Sequence, residues 1–341
     1  MCIIEQSGGK MMKKIYSLLL TMIIILCMTS CSKDKSIMIQ DTEMGNLKHQ
    51  KVDVMGVTYD LFDSGYASIV SILHKDAQIS EKVSYDGEEY TVVAVGFEWD
   101  TYNKDWQQRS VFSKTQYVPD NSPENLVLPE TIKHVGSQAF RWCTAKQITL
   151  PSKITTLGGM VFEGCVNLET IDFPDNLTQI GLGGMFNGCR SLKTVELPSD
   201  CEYPDYSILS IWFLDCYALE SVNLPGDISI IEQTFANCPE LKEVILNEGI
   251  TTIGECVFQN CPQITMLVIP ESVNIIEGKT FYNCPNLVDI TLPDGLDDVP
   301  ANMFLNEYWQ PADVSNLTIR VEESMVSYVK SIYPTAKVIK K

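Results

Sequence analysis

The stretch ITTIGECVFQNCPQITMLVIP, residues 250–270, decides the reading of the whole chain. Phe258 is followed three residues later by Cys261, and Ile269-Pro270 then closes the segment. The same marks recur along the sequence in phase. Leu128-Pro129 opens a first column that continues through Leu150-Pro151, Phe173-Pro174, Leu197-Pro198, Leu224-Pro225, Leu246-Asn247, Ile269-Pro270 and Leu292-Pro293, at steps of 22–27 residues. A second column holds Phe140, Phe162, Phe186, Phe213, Phe235, Phe258, Phe281 and Phe304. A third holds Cys143, Cys165, Cys189, Cys216, Cys238, Cys261 and Cys284, and Glu307 ends it. A period of this length is the mark of a solenoid, in which one unit cannot close a core and stacked units can.

Each unit has the form L-x-x-I-x-L-P-x-x-I-x-x-I-G-x-x-x-F-x-x-C. In Leu168, Ile171 and Phe173 the last two lie two apart, as inward residues of a short strand do, and Pro174 ends the strand. Ile253 to Phe258 carries apolar residues at roughly helical spacing, which predicts one or two turns of helix or tight coil over the strand layer. Residues flanking the inward position face outward. They are mostly polar, as in Thr170 and Asp172 or Thr194 and Glu196, until Ile245, Met266 and Val268 place apolar groups side by side. Such a patch is either a contact surface or a face covered by the terminal region.

The pattern resembles the BspA-like leucine-rich-repeat family of bacterial surface lipoproteins over about residues 50–341. The resemblance implies an α/β repeat solenoid of about eight turns, built of short parallel strands with helical or coil turns. The lead-in is similar to that family's opening, with Gly56-Val57-Thr58-Tyr59 and then Val83 to Val92. Alternation there and the Asp86-Gly87 turn imply an N-terminal β-hairpin cap over the first open edge. Leu317 to Val321 repeats the strand without the cysteine, and Tyr328 and Tyr333 belong to a closing cap.

The amino terminus is an address. From Met11 or Met12, the expected true start, Lys13-Lys14 leads into an apolar run from Leu18 to Met28 and then Thr29-Ser30-Cys31. A basic start, a short hydrophobic region and small residues describe an export signal, and the run is about half of what a membrane span needs. The segment resembles a lipoprotein signal in which Cys31 is acylated. Ser32 to Lys35 reads equally as a surface-sorting tag or a solvated linker. The expected organisation is therefore signal peptide 1–30, lipidated Cys31 with a tether to residue 48, a β-rich N-terminal cap with a degenerate repeat at 49–120, and the solenoid with its C-terminal cap at 121–341.

Twelve cysteines call for a disulfide or metal reading. No Cys-x-x-Cys pair supplies zinc spacing. Equivalent thiols on stacked turns point the same way, which is poor disulfide geometry, and an odd column of seven cannot pair completely. The column reads as reduced cysteine packing as a small hydrophobe. Cys201 shares the position of Ile154, Leu177 and Ile228 and reads as core, whereas Cys256 falls outside the apolar columns and is the thiol expected to be reactive.

His49, His74 and His134 lie far apart, and no phosphate loop or nucleophile elbow occurs. The chain reads as non-catalytic, without cofactor or metal. A net charge of -19, spread along the whole length, argues against nucleic acid. Aromatics at Trp99, Tyr102, Trp106, Tyr203 and Tyr206 mark two insertions that suit either ligand contact or loop packing. The expectation is a monomer on the cell exterior, an outer-membrane lipoprotein touching the membrane only through its anchor. Its partner would be a protein of host, matrix or bacterial surface, with adhesion the expected role. The alternative is a carbohydrate-capturing or structural envelope lipoprotein.

Overall fold

The computed structural model describes residues 49–341 except 63, 101–104, 109, 113–121, 182, 200, 202–207, 227 and 229. Five strands open it: β1 (His49–Val54), β2 (Val57–Phe62), β3 (Tyr66–Ile72), β4 (Lys82–Tyr85) and β5 (Glu88–Val95). β1, β2 and β3 pair antiparallel in sequence, β4 pairs antiparallel with β5 across the Asp86-Gly87 turn, and β3 runs parallel to β5. Both turn residues have positive φ, at 50° and 83°, which matches the twist of a tight hairpin.

β5 is also the first rung of a parallel array. Ala94 and Val95 pair with His134 and Val135, which pair with Thr156 and Leu157 and then with Gln179 and Ile180. The row continues beyond residue 207 as Ile208–Ser210, Ile230–Glu232, Thr252–Ile253 and Ile275–Ile276. A second row is formed by the segments before each Leu-Pro, from Asn125–Val127 and Gln147–Thr149 to Asp289–Thr291, Thr318–Val321 and Lys337–Lys340. Together they make a parallel β-solenoid of about 10 turns, more than the eight read from the Phe column. Turns at both ends lack the Phe or Cys that marks the others.

Of the helix or tight coil expected here, the structure has neither a helix nor a bare coil but a short strand followed by tight turns. After Thr252–Ile253, Cys256 and Asn260 adopt left-handed backbone at φ 58° and 56°. The corresponding pairs are Met160 with Gly164 and Gln233 with Asn237. Left-handed residues four apart exclude a right-handed helix. Apolar residues recur at near-helical spacing only because the two strand rows and the Phe turn all face one core. Among the described residues the one α-helix is α1 (Val326–Ile332), near the carboxyl end. The α/β expectation therefore gives way to an almost purely β coil. Backbones pack closely at the Ile-Gly positions, where a Cβ on Gly158 would lie 2.1 Å from the Ser137 nitrogen.

The core is a set of columns. Phe140 through Phe304 are buried, and successive rings lie 5.4–5.9 Å apart with planes within 26° of parallel. A ring is about 3.5 Å thick, so this is the offset stacking that the ring quadrupole favours. Phe112 leads into the column at 6.3 Å from Phe140, and Tyr333 closes it edge-on at 5.3 Å from Phe304. The thiols form the next column. From Cys165 onward each Sγ donates to the carbonyl of the Phe one turn earlier, as in Cys165 to Phe140 (3.1 Å), Cys238 to Phe213 (3.0 Å) and Cys284 to Phe258 (2.8 Å). At Phe140, Phe162, Phe186 and Phe213 the same carbonyl also accepts the N–H of the Cys in its own turn, for example Cys216 to Phe213 at 3.2 Å.

A carbonyl in an apolar core has two lone pairs to satisfy, and a thiol is a small, nearly apolar group that still carries a donor. Cysteine thus fills the space and gives the buried carbonyl a donor. None of the nine described cysteines forms a disulfide with another described residue. Burial pushes Cys284 up to about 12 and raises Cys165, Cys216, Cys238 and Cys261 further, so the nucleophilic thiolate is suppressed. Cys256, the thiol expected to react, is itself only 2% exposed, because its left-handed turn folds it under the outer surface.

Phe235→Ala removes a ring stacked at 5.6 Å and 5.5 Å on its two sides. The expected loss is about 3–5 kcal/mol of stability, read from urea unfolding. An unchanged midpoint would show that the rings do not hold the turns together. With Ellman's reagent, the nine thiols from Cys143 to Cys284 should stay silent in native protein and all titrate in guanidinium. Early reaction at Cys256 would restore it as a reactive site.

Candidate binding face

The second strand row presents its outward side chains in two columns. One runs Asn125, Gln147, Thr170, Thr194, Ser221, Glu243, Met266, Asp289 and the other Val127, Thr149, Asp172, Glu196, Asn223, Ile245, Val268, Thr291. Strand pairing fixes their neighbours, with Thr194 beside Ser221 beside Glu243, and Glu196 beside Asn223 beside Ile245. Inward residues between them, such as Val195, Val222 and Leu267, are buried in the core.

Ile245, Met266 and Val268 are exposed at 45%, 66% and 64%. The carboxyl-terminal segment does not cover them. It adds Thr318–Val321 and Lys337–Lys340 as further rungs of the same row, and Lys341 anchors the end through Asp294 at 2.6 Å and through Glu271. Among the described residues no strand pairing joins Glu243–Leu246 to Met266–Val268, although the two lie side by side. The apolar patch therefore straddles a lapse in the ladder. On its far side Arg320 makes a two-pronged ion pair with Asp289, at 2.9 and 2.7 Å.

Over four turns of this row lies a groove of about 960 Å³ lined by Thr170, Asp172, Asp175, Thr194, Glu196, Ser221, Asn223, Glu243 and Ile245 among others. A second, of about 740 Å³, takes in Glu243, Ile245, Glu248, Met266 and Val268, so the two share Glu243 and Ile245. Glu248 accepts the backbone N–H groups of Glu271 and Ser272, which hold its carboxyl below the usual range. Asn247, in place of the usual proline, donates to the Leu224 carbonyl at 2.7 Å.

The aromatic insertions are less completely placed. Phe97–Asp100 and Asp105–Gln108 pair as a hairpin that puts Trp99 opposite Trp106 along the backbone. Their side chains lie outside the described residues, as do Tyr102, Tyr203, Tyr206 and Cys31. The structure adds an aromatic pair with no counterpart in the sequence reading. Tyr308 is 73% exposed, and beside it Trp309 packs on Tyr282 with ring centroids 4.3 Å apart. Both belong to a turn whose tip is held by Asn306, which accepts the N–H groups of Tyr308 and Gln310. Among the described residues no cluster of three or more His, Cys, Asp or Glu side chains is arranged to hold a metal ion.

No curated protein matches the chain. Among solved structures it is similar to a leucine rich repeat protein of T. pallidum, at 26% identity over 63% of this chain and 91% of that one, with a TM-score of 0.48. It is also similar to a leucine rich cell surface protein of Faecalibacterium prausnitzii, at 16% identity over 85% and 98% with a TM-score of 0.35. A third is the pneumococcal vaccine antigen PcpA, at 13% identity over 86% and 98% with a TM-score of 0.39. A model of the BspA type leucine rich repeat region matches residues 114–225 and 206–332 in six copies. With its Phe, Cys and Leu-Pro columns stacked turn on turn and most of its length matched, the chain belongs to the BspA-type leucine-rich-repeat family.

Proposed function

We propose that this chain is an exported, lipid-anchored binding protein that holds another protein on its outward strand face and catalyses no reaction. The observation that carries the proposal is the exposed triad of Ile245, Met266 and Val268 on a face whose other positions are mostly polar. Leaving such groups in water has a free-energy cost that contact with a partner recovers, at about 25 cal/mol per Å² of apolar surface. Strand rungs are rigid supports, so a partner meets a face that is already ordered. Adhesion to a host, matrix or bacterial surface protein is the role that fits an exported solenoid with one apolar spot. The sequence from Met11 to Cys31 supports export and anchoring, with the body facing the cell exterior. The N-terminal strands β1–β5 serve as the cap that shields the first rung.

Two experiments test the parts separately. Replacing Ile245 and Met266 together by Asp should abolish pull-down of surface-exposed partner proteins. The melting temperature should move by less than about 2 °C, because both residues are exposed. A folding collapse would mean that the patch is core, and undiminished capture would mean that binding lies elsewhere. Cys31→Ser should eliminate incorporation of an alkynyl fatty acid in growing cells and release the protein from the membrane fraction. Persistent labelling would move the anchor to another residue.

A further inference from the structure

The groove beside the apolar patch has a one-sided charge. Among the described residues its lining includes Asp172, Asp175, Glu196 and Glu243 and no Lys, Arg or His, while Lys242, already paired with Glu220, borders the adjoining groove over Met266. This is not the general acidity of the surface, because a neighbouring column neutralises itself. One residue before the outward strand positions, Glu124, Lys146, Glu169, Lys193, Glu220 and Lys242 alternate in sign from turn to turn. Lys146 reaches Glu124 at 2.7 Å and Lys242 reaches Glu220 at 3.2 Å. The four groove carboxylates form no ion pair among the described residues. Asp172 and Glu196 stand on adjacent turns of one outward column, and Glu243 stands where the groove meets Ile245. Stacked turns lie about 4.8 Å apart, so these like charges repel across short distances.

We infer that the partner presents an extended cationic segment, with Lys or Arg side chains over Asp172, Glu196 and Glu243 and an apolar side chain seated on Ile245 and Met266. The inference rests on the protein-binding reading above and specifies the chemistry of what is bound. Two features on one strip require this combination: unneutralised carboxylates, which attract cations and repel anionic partners, and an adjoining apolar spot, which rewards a hydrophobic anchor. From the turn of Thr170 to that of Met266 there are four steps, roughly 19 Å, a span that about six residues of extended chain cover. The segment would lie across the strands rather than alongside them. It need not pair with an edge, so its side chains carry the recognition.

The test is panning of a random peptide library displayed on phage against the purified full chain, with D172N/E196Q/E243Q and I245D/M266D as parallel targets. All five positions are exposed, so each variant is expected to fold, and a thermal melt of each checks this. The expected result is a family of peptides rich in Lys or Arg with one apolar residue, lost on both variants. A synthetic member of that family should bind about tenfold more weakly on raising NaCl from about 50 to about 500 mM, because screening then shortens the reach of exposed charges. Peptides that depend on Ile245 and Met266 but show no basic excess would overturn this inference and leave protein binding intact. Peptides that bind all three targets equally, or none enriched at all, would overturn both.

Discussion

The stacking of this solenoid depends on the carbonyl oxygen of the repeat phenylalanine. From Phe140 to Phe258 each lies outside both strand rows, where no ladder partner is due. A buried carbonyl must find a hydrogen bond or carry a desolvation penalty of about 1–3 kcal/mol. The thiol of the next turn supplies one, as in Cys189 to Phe162 at 3.1 Å and Cys261 to Phe235 at 3.0 Å. At Phe140, Phe162, Phe186 and Phe213 the N–H of the Cys three residues later supplies a second. A serine at that position would bring a strongly hydrated hydroxyl into an apolar column, and an alanine would leave both a void and an unmet lone pair. The same geometry fixes the distance at which the rings meet. A turn displaced by one residue would lose the stack and the hydrogen bond together.

Because register is set in the core, the strand face is relieved of that duty. The ladder lapses between Glu243–Leu246 and Met266–Val268, yet the stack does not loosen there. Phe235 and Phe258 remain 5.5 Å apart, and Ile231 still pairs with Ile253 in the other row. On the outer side Asn283, Asn260 and Asn237 pass a chain of amide hydrogen bonds to Asp215, at 2.8, 2.6 and 2.8 Å. Each element holds the turns alone where another gives way. Side chains on the strand face can then vary without loss of fold, which is how one scaffold comes to carry unrelated partners.

Legibility in the sequence follows the same division. The Phe, Cys and Leu-Pro columns are visible because the core demands the same residue type in every turn. The outward exposure of Ile245, Met266 and Val268 is visible because strand alternation has a period of two. The turns were obscured by their own apolar content: Val257 and Phe258 follow Ile253 at spacings that a helix would also produce. The counter-signal is the residue just before six of the seven column cysteines, where Gly164, Gly188, Asp215, Asn237, Asn260 and Asn283 tolerate left-handed backbone, at φ 54–76°; before Cys143 the same conformation falls on Trp142, which gives no such sign. Phe112 gives no sign of leading the ring column, since it has no cysteine three residues on. The convergence of Asp172, Glu196 and Glu243 is likewise not a sequence property. It depends on which positions adjoin after turns of unequal length, and the step from Leu197 to Leu224 is the longest in the series.

Nearest-neighbour construction also bears on how such a face can bind. Each turn is held by the turn before and the turn after, so local order does not require the whole array to be compact. Ion pairs between exposed side chains, such as Lys242 with Glu220, contribute little to stability beside this, about 0–1 kcal/mol each. Their alternation along one column is better explained by what it prevents. A turn that slipped along its neighbour would draw these opposite charges apart, a small cost that adds to the register already set by the thiols. The groove carboxylates share no such alternation and make no contribution of this kind. A surface that neutralises one column turn by turn and leaves the next one charged has separated two tasks, holding its own coils in order and presenting a field to something outside.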